Sequence, residues 1–368
     1  MIAPLPSPRD SWNTLHKRLY ESVNYRLRDF GGGRWASACR PVSIVFLLTE
    51  LCNARCVHCD IWKNKGREDS PSPDQLKKTL SEMREWLGPV QVVFSGGESL
   101  MRPYTPEVAA HASAIGLFLE VLTHGYWAEQ SRIEKLGLAN PWRITISFDG
   151  MGSTHDRIRG RQGFWDKTIT SLENLRRLRR DHGLRYSIRL KTVVMEHNLD
   201  DLAEVARFAA SNEMEVFYQA IEQNYNTEND PRWFEHTDNW PKDSERAVTK
   251  IEELIRLRSE GLPIVNSEAQ LRVMIPYFRN PMPLQVAIQS HSAHEKRTNC
   301  SALINMQIQA NGDVRACLNS PPIGNIRHTP IRQIWERRPR NWETGCCLQR
   351  AAAEQLVSVE QIREQIGR

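Results

Sequence analysis

From residue 41 the chain alternates two kinds of pattern. Short, nearly continuous apolar runs occupy 41–49, 90–96, 117–125, 143–150, 186–194 and 215–222, from "PVSIVFLLT" to "EVFYQAIE". Runs of this length and β-branched content predict strands covered on both faces. Between them lie segments with helical signals. One spans 72–88 and opens with Ser72 as N-cap, Pro73 in the first turn and Gln75 as capping partner. Others are expected near 106–115, around 130–137, within 164–182 and over 199–211. Six strands alternating with helices predict a parallel sheet with right-handed crossovers, either doubly wound or curved into a partial barrel. In both, ligands gather at the carboxyl ends of the strands.

The flanks read differently. Trp12, Leu15, Leu19, Val23 and Leu27 recur at steps of three and four, and Gly31, Gly32 and Gly33 follow. An amphipathic helix packed against the main domain is expected there. After the sixth strand, residues 223–244 form a polar loop with Trp233 and Trp240, suited either to stacking on a sugar or nucleoside or to plain packing as a surface lid. Residues 265–281 read as a helix with Tyr277 and Phe278 in the core. Residues 304–317 alternate apolar and polar positions around Asn311-Gly312, which predicts a β-hairpin. The expected division is 1–40 as a helical segment, 41–265 as the main α/β unit and 266–368 as a smaller C-terminal unit.

The chain has 368 residues and a formal net charge of +5, too mild to imply a nucleic-acid or anionic-membrane partner. The first residues lack the basic and apolar regions of a signal peptide, and there is no run of eighteen apolar residues. A cytoplasmic location is expected. In a reducing compartment, eight cysteines read as ligands or free thiols rather than disulfides.

Three of them, Cys52, Cys56 and Cys59, fall within eight positions in the loop leaving the first strand. Three thiolates can hold three irons of a [4Fe–4S] cluster and leave the fourth iron open to a second molecule. Spacing alone also admits a zinc site completed by His58 or a distant residue, or a redox cluster.

The triplet resembles the CxxxCxxC motif of the radical S-adenosylmethionine (radical SAM) enzymes, and further segments extend the resemblance. "FSGGES" (94–99) is similar to the family's GGE motif, "ISFDG" (146–150) ends the fourth strand, and "HDRIRG" (155–160) resembles the HDxxRG segment of a large branch. The resemblance implies a partial (β/α)6 TIM-like barrel. It implies that Gly96, Gly97 and Glu98 meet the methionine ammonium of SAM, with Ser95 beside them as a cofactor-binding residue. Ser147 and Asp149 would point towards a ribose, Arg159 would pair with the SAM carboxylate, and His58 and Thr123 would lie near the adenosyl group. Where the family often has an aromatic before the third cysteine, this chain has His58; where it often reads TNG, this chain reads Thr123, His124, Gly125.

Cys300, Cys317, Cys346 and Cys347 form a second group, and Gly312 to Cys317 matches the Gly-x4-Cys element of the SPASM/twitch extension. That resemblance implies a second, auxiliary [4Fe–4S] cluster in the single-cluster twitch form, with the adjacent Cys346 and Cys347 competing for one role. Zinc is the alternative for these four. Cys39 is expected to be a free thiol away from solvent.

The implied activity is an oxidoreductase-type or carbon-skeleton-modifying enzyme that cleaves SAM reductively to a 5′-deoxyadenosyl radical and takes hydrogen from a substrate. The expected substrate is a small polar molecule, such as a sugar, nucleoside or natural-product precursor. The alternatives are a maturase of a ribosomal peptide, less favoured because some forty residues before the first strand are few for a leader-binding module, and a non-catalytic iron–sulfur or zinc scaffold. A one-electron donor such as flavodoxin or ferredoxin is the implied protein partner. Tyr218, Gln219 and Glu222, at the end of the sixth strand, are positional candidates for catalysis.

Overall fold

The computed structural model describes residues 8–31, 35, 37–65, 69–225, 227–228, 230, 232–281, 301–317 and 321–338. Six strands follow the predicted order: β1 (Ser43–Thr49), β2 (Gln91–Gly96), β3 (Phe118–Thr123), β4 (Arg143–Ser147), β5 (Ser187–Val194) and β6 (Glu215–Ala220). All neighbours among them pair in parallel, and their spatial order is sequential from β6 to β1. A doubly wound sheet would reverse its order at a switch point. This one never does. Side chains from β2 through β6 surround one cavity, so the sheet curls around it as a partial barrel.

Helices cover the outside: α2 (Pro73–Leu87), α3 (Thr105–Ala114), α4 (Ser131–Leu138), α5 (Ser153–Arg159), α6 (Phe164–Asp181), α7 (Leu202–Ser211), α8 (Ser244–Ser259) and α9 (Glu268–Arg279). The Ser72 hydroxyl accepts from Gln75 N at 3.1 Å, as the sequence predicts. Strand residues facing the helices, such as Val92, Leu119, Ile144, Ile188 and Val216, are fully buried. The other face is polar. Inside the lower barrel, Glu120 receives Thr145 Oγ1 at 2.5 Å and Gln91 Nε2 at 3.1 Å, with Arg143 Nη1 3.5 Å away. Arg189 donates twice to Glu215. Charge meets charge throughout this floor.

The hairpin β7 (Asn305–Ile308) and β8 (Asp313–Arg315) forms around the Asn311-Gly312 turn, with β9 (Gly324–Asn325) beyond it. It does not stand apart. β7 pairs in parallel with β1, Ser43 to Asn305 through Phe46 to Ile308, making a nine-stranded sheet. The short helix α10 (Ile331–Glu336) lies against α2, where Ile331 N donates to Glu82. The indole of Trp335 and the guanidinium of Arg338 both donate to Cys39 O. Cys39 itself is buried, as expected of a sheltered thiol.

The N-terminal helix α1 (Pro8–Gly31) is present but turned the other way from the expectation. It docks through its polar side: Tyr20 OH donates to Pro41 O at 2.7 Å, and Asn24 Oδ1 accepts from Arg40 N at 2.7 Å. Trp12, Leu15, Leu19 and Val23 remain 67, 49, 57 and 53% exposed among the described residues. Two directional hydrogen bonds fix the rotation: Trp12, Leu15, Leu19 and Val23 face outward, while Leu27 packs against Cys39, Val42, Leu303 and Ile304.

Trp233 and Trp240 pack on one another at 5.5 Å between ring centroids, and Trp240 lies against Tyr277 and Phe278. They are packing residues of the wall between the β6 loop and α9. No helix among the described residues is long and apolar enough to cross a membrane.

Candidate active site

A cavity of about 340 Å3 opens at the carboxyl ends of the strands. Cys52, Cys56, Cys59 and His58 line it from the loop after β1, Ser95 to Glu98 from the end of β2, Thr123 and His124 from β3, Ser147 from β4, Lys191 from β5, and Gln219 and Glu222 from the end of β6.

Backbone hydrogen bonds suture these loops. Gly97 N donates to Thr49 O at 2.7 Å and Glu98 N to Leu51 O at 2.9 Å. The glycines are obligatory here: a Cβ on Gly96, whose φ is +123°, would sit 2.3 Å from Thr49 O, and one on Gly97 2.3 Å from Leu51 O. α5 supports the cysteine loop from the other side. Arg55 N donates to Arg159 O at 3.1 Å and Val57 N to Ile158 O at 2.9 Å, so "HDRIRG" is a second edge to which the cysteine loop is bonded. Asp60 N donates to Tyr225 O, adding a clasp from the β6 loop.

Glu98 is buried, and its carboxylate accepts three hydrogen bonds. Oε1 accepts from Leu100 N at 3.0 Å and Thr123 Oγ1 at 2.7 Å, and Oε2 accepts from His124 N at 2.8 Å. Burial pushes its pKa up to about 7 despite those donors. His124 extends the network. Its Nδ1 accepts from Tyr126 N at 2.9 Å, which leaves Nε2–H to donate to Asn53 Oδ1 at 2.7 Å, with Glu98 Oε2 at 3.3 Å. Burial holds His124 well below the usual imidazole range, so it is a neutral strut between the cysteine loop and Glu98. His124 stands where a shorter amide was the family expectation, and its side chain reaches the loop.

Arg159 Nη2 pairs with Asp149 Oδ2 at 2.5 Å, and Nη1 lies 3.5 Å from Cys56 Sγ. Asp149 does not line the cavity. It is wholly buried and also accepts from Val193 N at 2.8 Å, so the geometry gives it the task of holding Arg159 rather than reaching a ribose. Tyr218 is likewise away from the cavity: adjacent residues of a strand face opposite ways, and its hydroxyl donates to Leu202 O in the core. Gln219 and Glu222 do line the wall.

The thiols behave as buried groups. Burial pushes Cys52 up to about 12, with Glu98 and the neighbouring thiols adding to it. Among the described residues no three His, Cys, Asp or Glu side chains converge on a single metal ion, as a mononuclear zinc site needs. A cluster asks for something else, each thiolate on its own iron around a shared void, and three cysteines around one cavity fit that demand. Cys317 follows β8; Cys300, Cys346 and Cys347 lie outside the described residues.

Lys191 was not anticipated, although a lysine interrupting "YSIRLKTVV" was its signal. His124 and Tyr225 were also missed as site residues.

Comparison with known proteins agrees with this architecture. The radical SAM superfamily pattern matches residues 46–209, and that of the SPASM iron–sulfur cluster-binding domain matches residues 300–364. An AdoMet-dependent heme synthase of Methanosarcina barkeri is 26% identical over 308 residues, 80% of this chain and 82% of the relative. A PqqA peptide cyclase of Bradyrhizobium diazoefficiens is 32% identical over 122 residues, 33% of this chain and 32% of the relative. Among solved structures, Streptococcus suis SuiB superposes with a TM-score of 0.57 at 14% identity; the match covers 81% of this chain but 66% of SuiB.

Proposed function

Because the chain belongs to the radical SAM superfamily and carries a SPASM-type iron–sulfur domain, we propose that it oxidises or otherwise remodels a small, carboxylate-bearing polar molecule of the tetrapyrrole class. It is an enzyme whose cofactors are a [4Fe–4S] cluster, SAM and auxiliary iron–sulfur chemistry. When bound, these supply one electron to the SAM sulfonium, a 5′-deoxyadenosyl radical that takes a hydrogen atom from substrate carbon, and an acceptor for the electron left behind.

In this reading Cys52, Cys56 and Cys59 hold the SAM-site cluster. Gly96 and Gly97 offer close backbone approach, and Glu98 complements the methionine ammonium. Thr123 and His124 keep the Glu98 carboxylate aimed. Arg159, steadied by Asp149, meets the SAM carboxylate beside Cys56. Ser95, Ser147 and His58 take the remaining contacts along the cavity. Cys317 and one or more of Cys300, Cys346 and Cys347 hold the auxiliary cluster. The division into a barrel over 41–265 and an auxiliary unit over 266–368 belongs to the same reading, with β7 as its seam.

The observation that carries the substrate class is the extent of sequence likeness. Likeness to the heme synthase runs through four fifths of both chains, whereas likeness to the peptide cyclase is confined to about a third. A sugar or nucleoside has no such support. Peptide modification is the second reading, supported by the partial likeness to the PqqA peptide cyclase. Anaerobic reconstitution with dithionite and SAM tests the chemistry: release of 5′-deoxyadenosine is expected, and none from fully iron-loaded protein would return the chain to the scaffold reading. Mass analysis with porphyrin carboxylates and with precursor peptides decides between the two substrate classes.

A further inference from the structure

The barrel interior holds two successive layers of basic side chains, and they differ in one respect. In the lower layer every cation has an anion. Arg143 stands between Glu120 and Glu215 at 3.5 and 3.6 Å, and Arg189 is held by Glu215 at 2.9 Å. One step higher on β5 the alternation brings Lys191 to the same face, in register with Ser147 on β4 and Phe217 on β6. Lys191 lines the cavity, and among the described residues no carboxylate forms a salt bridge with it. Glu222, which shares the wall, and Glu120 and Asp149 act on it only from beyond ion-pair distance.

A cation held in a protein wall without a partner is costly, and its natural complement is an anion that arrives with a ligand. We propose that Lys191 is a substrate-anchoring residue that receives a carboxylate of the substrate, at the wall formed by the ends of β5 and β6. Resting on the carboxylate-bearing reading above, this assigns the recognition to one residue. The site suits a single negative charge. Lys191 is one ammonium, without the arginine fork or cluster of donors that phosphate favours, and Glu222 on the same wall repels a dianion. SAM also carries a carboxylate, but Arg159 beside Cys56 already offers it a guanidinium on the cluster side of the cavity. Lys191 thus sets where a substrate lies, not how SAM is held.

The test uses the reconstituted holoenzyme, kept anaerobic, with an amine-acylating reagent and mass spectrometry of the Lys191 peptide. Propionate, the bare carboxylate arm, and propionamide, its neutral counterpart, are added with and without saturating SAM. Propionate is expected to protect Lys191 in the presence of SAM, and propionamide is expected not to. Coproporphyrin III is then titrated against its tetramethyl ester. Lys191→Met should weaken binding of the acid about tenfold, the loss of one charge-assisted hydrogen bond, and should leave the ester and the affinity for SAM unchanged. Lys191→Arg should recover part of the loss.

Full protection by SAM alone, with nothing added by propionate, would assign the lysine to SAM and overturn the proposal. So would equal labelling with propionate and propionamide. If propionate protects while neither porphyrin binds, the anchor stands and the tetrapyrrole reading falls; the two failures are therefore separate.

Discussion

The floor and the mouth of the barrel are built from the same strands by opposite rules. On the floor, Glu120, Arg143, Arg189 and Glu215 satisfy one another, and nothing is left for a ligand. At the mouth, three thiols and Lys191 face open space. Glu98 is an intermediate case: Leu100 N in its own turn and Thr123 and His124 at the end of β3 all donate to it, so its orientation is settled before any ligand comes. Stability is concentrated in the lower layer and chemical capacity in the upper one. That separation lets a barrel carry reactive groups without unfolding around them.

The largest effect should follow from striking the mouth at its centre. Cys56→Ala is expected to reduce 5′-deoxyadenosine release to background while iron and sulfide analysis still finds the auxiliary cluster. Cleavage at the wild-type rate would remove the cysteine loop from the mechanism and erase the contrast. Striking the floor should do the reverse. Glu120→Ala leaves Arg143 short of a buried carboxylate and should cost about 3 kcal/mol in denaturant unfolding, with SAM affinity in the folded fraction unchanged. Lys191→Met, one layer higher, should leave stability unchanged or raise it, because it removes a charge without breaking a pair.

A fourth variant sits on the border. Gly160 has φ +70°, and a Cβ there would stand 2.0 Å from Arg55 O. Gly160→Ala must therefore push α5 off the cysteine loop. The backbone strain costs about 1–3 kcal/mol, and iron incorporation at the SAM site should fall while Arg143 and its partners stay in place. Normal iron content would mean that the α5 edge does not hold the loop.

How much of this could be read from the chain depends on what periodicity can and cannot encode. The six strands and their sequential helices were legible, since doubly covered strands leave long apolar runs. So was the cysteine loop, because its spacing is local. The orientation of α1 was not: the stripe of Trp12, Leu15, Leu19 and Val23 marks an apolar face, but Tyr20 and Asn24 decided which face docks, through bonds to residues 41 and 40. Nor does a hairpin disclose which sheet edge will accept it, and β7 beside β1 follows from a pairing over 260 positions away. Tyr218 and Gln219 were named together, although a period of two allows only one of them to face the cavity. Lys191 was hidden for the same reason. A charged residue within an apolar run is informative only once the inner face of the strand is known.

The smallest effect probes the join between the layers. His155 is buried beneath Phe148 and Phe164, and its Nδ1 accepts from Asp149 N at 3.1 Å. It thereby positions the residue that holds Arg159, which in turn reaches Cys56. Burial, reinforced by Arg159, lowers its pKa to about 3. In the unfolded chain the imidazole takes a proton near its ordinary value, so acid favours unfolding: the stability from a neutral His155 is complete above that value and is lost as pH falls towards the folded one. Moving from about pH 7.5 to about pH 5.5 should cost about 1.4 kcal/mol through this residue alone. His155→Gln keeps an acceptor for Asp149 N but cannot titrate, so urea unfolding of the variant should lose that increment and retain SAM cleavage at neutral pH. If the acid sensitivity persists undiminished, the titrating group lies elsewhere, and the join between floor and mouth is held by packing of the aromatic rings rather than by the neutral imidazole.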